Sequence, residues 1–129
     1  IRQLYARLAD RSDWVLVEGV GGWRVPLGPG LDIADLVKRL ELPVVLVVGM
    51  RLGCLNHAFL TEESIRHAGL KLQGWIANRL DPEMQAQPGN LQTLLEGLAA
   101  PCLGVVPYLR QPSAARVAAH LRGISEITA

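Results

Sequence analysis

Four short apolar runs constrain the fold of this chain more than any other feature of its sequence. Turn residues bound each run, and the four span Trp14 to Val17, Val44 to Val48, Gly74 to Ala77 and Leu103 to Val106. Each run is continuously apolar rather than alternating with polar residues, which is typical of parallel strands covered on both faces. The longest apolar stretch, Leu42 to Met50, is about half as long as a helix that crosses a bilayer. The sequence therefore predicts a buried parallel sheet.

Helical patterns lie before and between these runs. Asp32, with Asp35 three residues later, has the pattern of a helix cap, and Pro43 ends the helix that follows. Asn56 is predicted to cap a second helix that ends at Gly69. Two apolar stripes with helical spacing predict later helices: Leu91, Leu94, Leu95 and Leu98, and then Ala114, Val117, Ala118 and Leu121. This alternation predicts an α/β fold, a parallel sheet with helices on both faces.

The composition indicates one globular domain over residues 1–129, with a surface loop from Asp81 to Gly89. Half of the residues are hydrophobic and 19% are charged, which excludes a disordered chain. A net charge of +1 without a basic stripe argues against nucleic acid and membrane partners. Cys54 and Cys102 are too few for a disulfide framework, so a reducing cytoplasm is expected. No signal peptide is visible at Ile1, and the chain is interpreted as part of a longer protein.

Polar or glycine-rich segments follow all four predicted strands. They are Glu18 to Trp23, Gly49 to Asn56, Asn78 with Arg79, and Pro107 to Leu109. In an open parallel sheet, ligands bind beyond the carboxyl ends of the strands. We therefore expect all four segments to lie at one edge of the sheet and to form the active site there.

Glu18 and the glycines behind it are the first candidates for a ligand site. A carboxylate at the end of a buried strand needs a partner to offset its desolvation. Mg²⁺ shared with phosphate oxygens would serve, and so would an arginine or a helix N-terminus. Gly19, Gly21 and Gly22 would bring backbone N–H groups close to an anion, or would only form a tight strand exit. The dinucleotide fingerprint fails, because Arg24 occupies the position of its last glycine.

Asn78 and the segment from Gly53 to Asn56 are the second candidates. The Asn78 amide has the donor and acceptor needed to bind N6 and N7 of adenine, or to bond its own backbone in a turn. Gly53 to Asn56 leads into a helix N-terminus, where free N–H groups favour a carboxylate or phosphate. His57 beside this segment is either a base or, as we interpret it, a surface or packing histidine. No Gly-x-x-x-x-Gly-Lys-Ser/Thr sequence occurs, so a phosphate-binding loop of this type is absent from the 129 residues.

Three segments together resemble the dethiobiotin synthetases: Asp13 to Trp23, Leu42 to Ala58, and Gly74 to Asn78. Their order and spacing also match, and the likeness returns from Pro101 to Leu109. That family is similar in fold to the P-loop ATPases. The resemblance implies that the chain is the C-terminal part of a P-loop NTPase-like α/β domain whose phosphate-binding loop lies upstream of Ile1. It also implies that the 129 residues have no synthetase activity alone.

The function implied by the resemblance is an ATP-dependent ring closure in biotin biosynthesis. A diamine, 7,8-diaminononanoate, would form a carbamate with CO₂, ATP would phosphorylate the carbamate, and the second amine would displace phosphate. Mg²⁺ (Mg2+) would be the metal cofactor and ATP a co-substrate. The family resemblance implies a cytoplasmic homodimer.

The resemblance also implies residue roles. The expected ATP-binding residues are Glu18, Gly19, Val20, Gly21, Asn78, Arg79, Pro107, Tyr108 and Leu109, with Glu18 also the Mg²⁺ ligand. The expected substrate-binding residues are Gly22, Arg51, Gly53, Cys54 and Asn56. No catalytic residue is assigned to this part of the protein. The sequence departs from the family pattern at Arg51, where the family has a lysine, and at Arg79, where it has an acidic residue.

Two other functions stay open on the sequence. One is a different ATP-using relative of the same fold, such as an amidoligase of corrinoid synthesis or a partitioning ATPase. The other is a non-catalytic remnant that dimerises or binds nucleotide without turnover.

Overall fold

The computed structural model describes residues 1–123 and residue 127, which divide into two compact units, 1–42 and 43–129. The first unit contains helix α1 (Arg2–Ala9), strands β1 (Pro26–Gly28) and β2 (Leu31–Asp32), and helix α2 (Ile33–Leu40). The second contains β3 (Val44–Met50), α3 (Cys54–His67), β4 (Leu72–Arg79), α4 (Gln87–Gly97), β5 (Cys102–Val106) and α5 (Ala114–Ala118). No helix in the described part of the chain has both the length and the apolar character needed to span a membrane.

The second unit is built on a parallel three-stranded sheet in the order β3-β4-β5. Helices α3 and α4 connect consecutive strands, as crossover connections between parallel strands require. The predicted fold class, a parallel α/β sheet flanked by helices, is confirmed. Three of the four predicted strands are confirmed as well, and each is longer than its predicted run because the ladder continues into the neighbouring residues.

An apolar core lies between this sheet and its connecting helices. One face of the sheet carries Val48 and Met50 of β3 and Trp75 and Ala77 of β4. These side chains pack with Cys54 and Ala58 of α3, Leu94 of α4, and Leu98, which follows α4 directly. Trp75 is the largest of these side chains and is only 1% exposed. Val47 projects from the other face of β3 and is exposed.

Helix α3 begins earlier than the sequence predicted. Gly53 has a φ of +90°, a conformation that glycine adopts without strain, and the helix starts directly after it at Cys54. The backbone N–H of Cys54 donates to the Arg51 carbonyl, and that of His57 donates to the Gly53 carbonyl. The prediction that Asn56 caps this helix is therefore wrong, since Asn56 lies inside its first turn.

Two later boundaries also differ from the predictions. Helix α4 begins at Gln87, inside the predicted Asp81 to Gly89 loop, and Pro88 fits its first turn because that N–H needs no intrahelical acceptor. Helix α5 ends at Ala118, so its predicted apolar stripe is cut short. Leu121 instead forms an isolated β-bridge with Gly104 of β5.

In the first unit, α2 is confirmed together with its predicted cap. The Asp32 side chain accepts from the Asp35 backbone N–H at 2.9 Å, and the Asp35 side chain accepts from the Asp32 backbone N–H at 3.0 Å. Helix α2 ends where Glu41 adopts the left-handed conformation, two residues before Pro43. The antiparallel pair β1 and β2 was not predicted, because its few residues carry no apolar run.

The predicted strand from Trp14 to Val17 is wrong. These residues are irregular, and the Trp14 and Leu16 side chains are exposed. A strand is stable only when another strand supplies partners for its N–H and C=O groups. Among the described residues the two sheets are β1-β2 and β3-β4-β5, and neither includes residues 14–17.

Candidate functional site

The register of the second unit brings three of the four candidate segments to one edge. Gly49 pairs with Asn78, Met50 pairs with Arg79, and Asn78 also pairs with Val106. Because the strands are parallel, the segments that follow them emerge at the same side. The Arg51 to Asn56 segment, Asn78 with Arg79, and Pro107 to Leu109 therefore share what we call the carboxyl edge. The fourth segment, Glu18 to Trp23, belongs to the first unit.

Asn78 lies on the central strand of this edge, between Gly49 and Val106. Its side chain is half-buried. Within residues 1–123 and 127, no side-chain hydrogen bond of Asn78 occurs. The turn interpretation, in which this amide bonds its own backbone, is therefore not seen. The amide keeps a donor and an acceptor for a ligand.

The turn that follows β3 presents backbone groups and two long side chains. Arg51 and Leu52 are exposed, and the positive φ of Gly53 turns the chain directly into α3. Cys54 is buried beside Met50 in the core, so a ligand at this turn would meet its backbone rather than its thiol. Asn56 is exposed in the first turn of the helix. The helix N-terminus therefore offers N–H groups to an anion.

The other two strands end in side chains of different chemistry. Arg79 is half-buried at the last position of β4. Beyond β5, Pro107 and Leu109 are half-buried, and Tyr108 has 47% of its surface exposed. The carboxyl edge thus combines a free amide with cationic, aromatic and apolar groups. Such a combination suits a flat heteroaromatic ring attached to an anionic group.

Glu18 lies in an irregular, exposed segment of the first unit. The prediction that its carboxylate is desolvated at the end of a buried strand is wrong, because the residues before it form no strand. Within the described part of the chain, Glu18 has no hydrogen bond or salt bridge. Its carboxylate oxygens therefore have no partner there, and carboxylate oxygen is a ligand that Mg²⁺ prefers. Glu18 thus fits one ligand position of Mg²⁺. No group of three potential metal-ligating side chains occurs among the described residues.

The glycines that follow Glu18 form a turn with two positions whose backbone conformation favours glycine. Gly21 and Gly22 have φ values of +84° and +120°, which side chains rarely tolerate. A Cβ on Gly21 would also lie 3.2 Å from Val25. Gly19 has an ordinary backbone, and a Cβ there would only touch Ile33. The segment is therefore a tight turn whose exposed backbone is open to a ligand.

One ion pair near this turn was missed by the sequence reasoning. The Arg24 guanidinium donates to the Asp32 carboxylate at 2.6 Å. The hydrogen bond from the Asp35 backbone N–H lowers the pKa of Asp32, and Arg24 lowers it further. The cap pattern in the sequence indicated the hydrogen bond from the Asp35 N–H to Asp32. The ion pair between Arg24 and Asp32 joins residues eight apart through the unpredicted β1-β2 pair, so helical spacing could not reveal it.

Sequence reasoning also missed Leu80, whose side chain lies against Gly49 at the carboxyl edge. The signal in the sequence was the glycine itself. A glycine inside an otherwise apolar strand often marks the close approach of another group.

Comparison with known proteins decides the family. The sequence model of one family, described as an AAA domain, matches residues 1–116. The chain belongs to this AAA domain family. Because the match continues to residue 116, it includes every candidate site residue of both units.

Curated relatives of this AAA domain chain confirm the resemblance inferred from its motifs. It is 57% identical over 111 residues to the ATP-dependent dethiobiotin synthetase BioD of Cellvibrio japonicus, covering 86% of this chain and 49% of the relative. It is 55% identical to the protein of that name from Aromatoleum aromaticum, covering 95% of this chain and 54% of the relative. For a Xanthomonas campestris relative of the same name, the identity is 49% over 122 residues. The chain spans about half the length of the curated relatives it matches.

Proposed function

We propose that this AAA domain chain is part of an ATP-dependent dethiobiotin synthetase that acts in the cytoplasm. The observation that carries the proposal is 49–57% identity to curated proteins of that name, over 86–95% of the chain. Since the chain spans about half of those relatives, the activity belongs to the whole protein. The 129 residues alone are proposed to be inactive, because they contain no phosphate-binding loop sequence.

The proposed reaction closes the ureido ring of dethiobiotin. One amine of 7,8-diaminononanoate adds to CO₂ and forms a carbamate, whose oxygen then receives the γ-phosphoryl group of ATP. The second amine attacks the same carbon, and phosphate leaves with that oxygen. The products are dethiobiotin, ADP and phosphate. The protein forms no covalent bond with a reactant in these steps, so its contribution is to position the reactants and to stabilise their charge.

The carboxyl edge is proposed to hold the two organic substrates. The free amide of Asn78 would bind the adenine of ATP, with Pro107, Tyr108 and Leu109 packed against the ring. The Arg51 to Asn56 segment would receive the carboxylate of the diamine, because Arg51 is exposed and the helix N-terminus offers N–H groups. We further propose that this carboxylate comes from the substrate bound by a second copy, so that the active protein is a homodimer.

Glu18 is proposed to hold Mg²⁺, with Gly19, Val20, Gly21 and Gly22 lining the ATP and diamine sites. When bound, Mg²⁺ would neutralise charge on the phosphates of ATP. The chain supplies a free carboxylate, and the turn behind it, with positive φ at Gly21 and Gly22, would present backbone N–H groups to an anion. Support for this role comes from the donor chemistry of Glu18 and from its having no competing partner in the described residues.

The direct test uses the full-length protein that contains this chain. It is supplied with 7,8-diaminononanoate, bicarbonate and MgATP, and dethiobiotin is measured by mass spectrometry. Glu18→Gln should reduce turnover by about 100-fold or more, the scale seen when one charge-stabilising group is lost. Glu63→Gln, which changes an exposed carboxylate on α3, is the matched control and should leave turnover unchanged.

Two results would contradict the proposal. One is a folded full-length protein that binds ATP but makes no dethiobiotin, and the other is full activity of Glu18→Gln. Turnover by the isolated 129 residues would overturn the separate claim that this part is inactive alone.

A further inference from the structure

Gly49 and Leu80 make an unusually close contact at the carboxyl edge. A Cβ built on Gly49 would lie 2.8 Å from Leu80 Cδ1 and 3.7 Å from Leu80 Cγ. Gly49 is not among the glycines with positive φ, so its backbone would accept any residue. The glycine is needed for space, because the Leu80 side chain occupies the position that a larger residue would fill.

The strand register shows which face of the sheet Leu80 covers. Gly49 is paired with Asn78, and paired residues of parallel strands project from the same face. Leu80 therefore folds back over the face that carries the Asn78 side chain. It keeps 48% of its surface exposed, so an apolar surface lies beside the free amide.

We propose that Leu80 forms an apolar wall of the adenine site and that Gly49 positions it. The inference rests on the proposed function, since it takes ATP as the ligand. A purine needs hydrogen bonds at its edge and apolar contact on its faces. Asn78, on the central strand, supplies the hydrogen bonds to the edge of the purine. Leu80 supplies the apolar contact on the β3 side of Asn78, and Tyr108 follows β5 on the other side.

Calorimetric titration of the full-length protein with ATP tests this arrangement. Leu80→Ala should weaken binding by about 5-fold, because the wall is removed. Gly49→Ala should weaken it by about 10-fold, because the new methyl group displaces Leu80. The double variant should bind no more weakly than Leu80→Ala alone, since nothing remains for the methyl group to displace. Such strong coupling is expected only for residues in contact.

Two exposed positions of α4 provide matched controls. Leu95 is 46% exposed, close to the value for Leu80, so Leu95→Ala removes an equivalent apolar group elsewhere. A Cβ at Gly89 would meet nothing within 4 Å, so Gly89→Ala adds a methyl group in open space. Both variants should bind ATP as the unchanged protein does. Inorganic tripolyphosphate, which has no base, should bind equally well to Leu80→Ala and the unchanged protein.

The outcomes separate this inference from the proposed reaction. An unchanged ATP affinity in Leu80→Ala would overturn the inference, as would Gly49→Ala and Leu80→Ala effects that simply multiply. A protein that binds ATP but makes no dethiobiotin would defeat the proposed reaction, while the affinities would still decide the role of Leu80. A protein without ATP affinity would overturn both. Thermal unfolding of each variant identifies any affinity loss caused by unfolding, and the double variant, which lacks the clash, then decides.

Discussion

The two units of this chain differ in how many apolar residues they bury. In residues 43–129, the side chains of Trp75, Met50, Ile65 and Leu94 are less than 2% exposed. In residues 1–42, all of which the structure describes, Ala34 is the only buried hydrophobic residue. Large apolar side chains of that unit are exposed instead, among them Leu4, Leu8, Trp14, Leu16, Val17 and Val20.

The difference lies in strand pairing rather than in composition. Trp14 to Val17 is as continuously apolar as Val44 to Val48, yet only the second segment has a hydrogen-bonded neighbour in the described residues. Pairing aligns β3 with β4, and alternate residues then bury one face against α3 and α4. An apolar run therefore predicts a strand only where a partner strand is available to it.

The largest expected contrast is between two tryptophans. In this chain, Trp75→Ala should lower the free energy of unfolding by about 3–5 kcal/mol, because it leaves a cavity in the core of the second unit. Trp14→Ala should change it by less than about 0.5 kcal/mol, since Trp14 is 66% exposed. Urea denaturation followed by circular dichroism measures both. Equal losses would show that the Trp14 segment is packed, and the contrast between the units would fail.

A smaller contrast is expected between two glycines. A Cβ on Gly74 would lie 2.6 Å from atoms of the buried Leu103 side chain, so Gly74→Ala should cost about 1–3 kcal/mol by overpacking. A Cβ on Gly28 of β1 would meet nothing within 4 Å, so Gly28→Ala should be close to neutral. The same denaturation experiment compares them. A neutral Gly74→Ala would mean that the second unit is loosely packed.

The sequence predicted the elements that depend on local contacts, and also the strands that pair with the next strand along the chain. The Asp32 cap is a contact over three residues, and β3, β4 and β5 each follow one another through a single crossover helix. The start of α3 was missed because the positive φ of Gly53 ended the turn before Asn56 was reached. The Leu80 contact was missed because spacing along the chain does not show which side chain fills the space above a glycine.

The smallest expected effect concerns the cap of α2. The pKa of Asp32 is lowered from 3.8 in the folded chain, so the ionised group stabilises the fold above that value. This contribution is lost as the pH falls through the folded pKa. Asp32→Ala should therefore lower the thermal midpoint slightly at neutral pH, and the difference from the unchanged chain should shrink in acid. A difference that grows toward low pH would contradict the assignment.

The candidate site was predictable only in part from the sequence. The strand ends located Asn78 and Tyr108, and the register then placed them at one edge because parallel strands end together. The sequence also led us to expect a buried Glu18, and that expectation failed with the strand before it. Burial of a single side chain depends on partners far along the chain, which an apolar pattern does not reveal.

We have proposed that ATP binds at the carboxyl edge of the β3-β4-β5 sheet. Amide hydrogen exchange of the full-length protein, with and without MgATP, tests it directly. We expect slower exchange in residues 49–54, 78–81 and 106–109, with no change at the opposite edge in residues 42–44, 70–72 and 99–101. Protection confined to the opposite edge, or none in either set while ATP is bound, would contradict it.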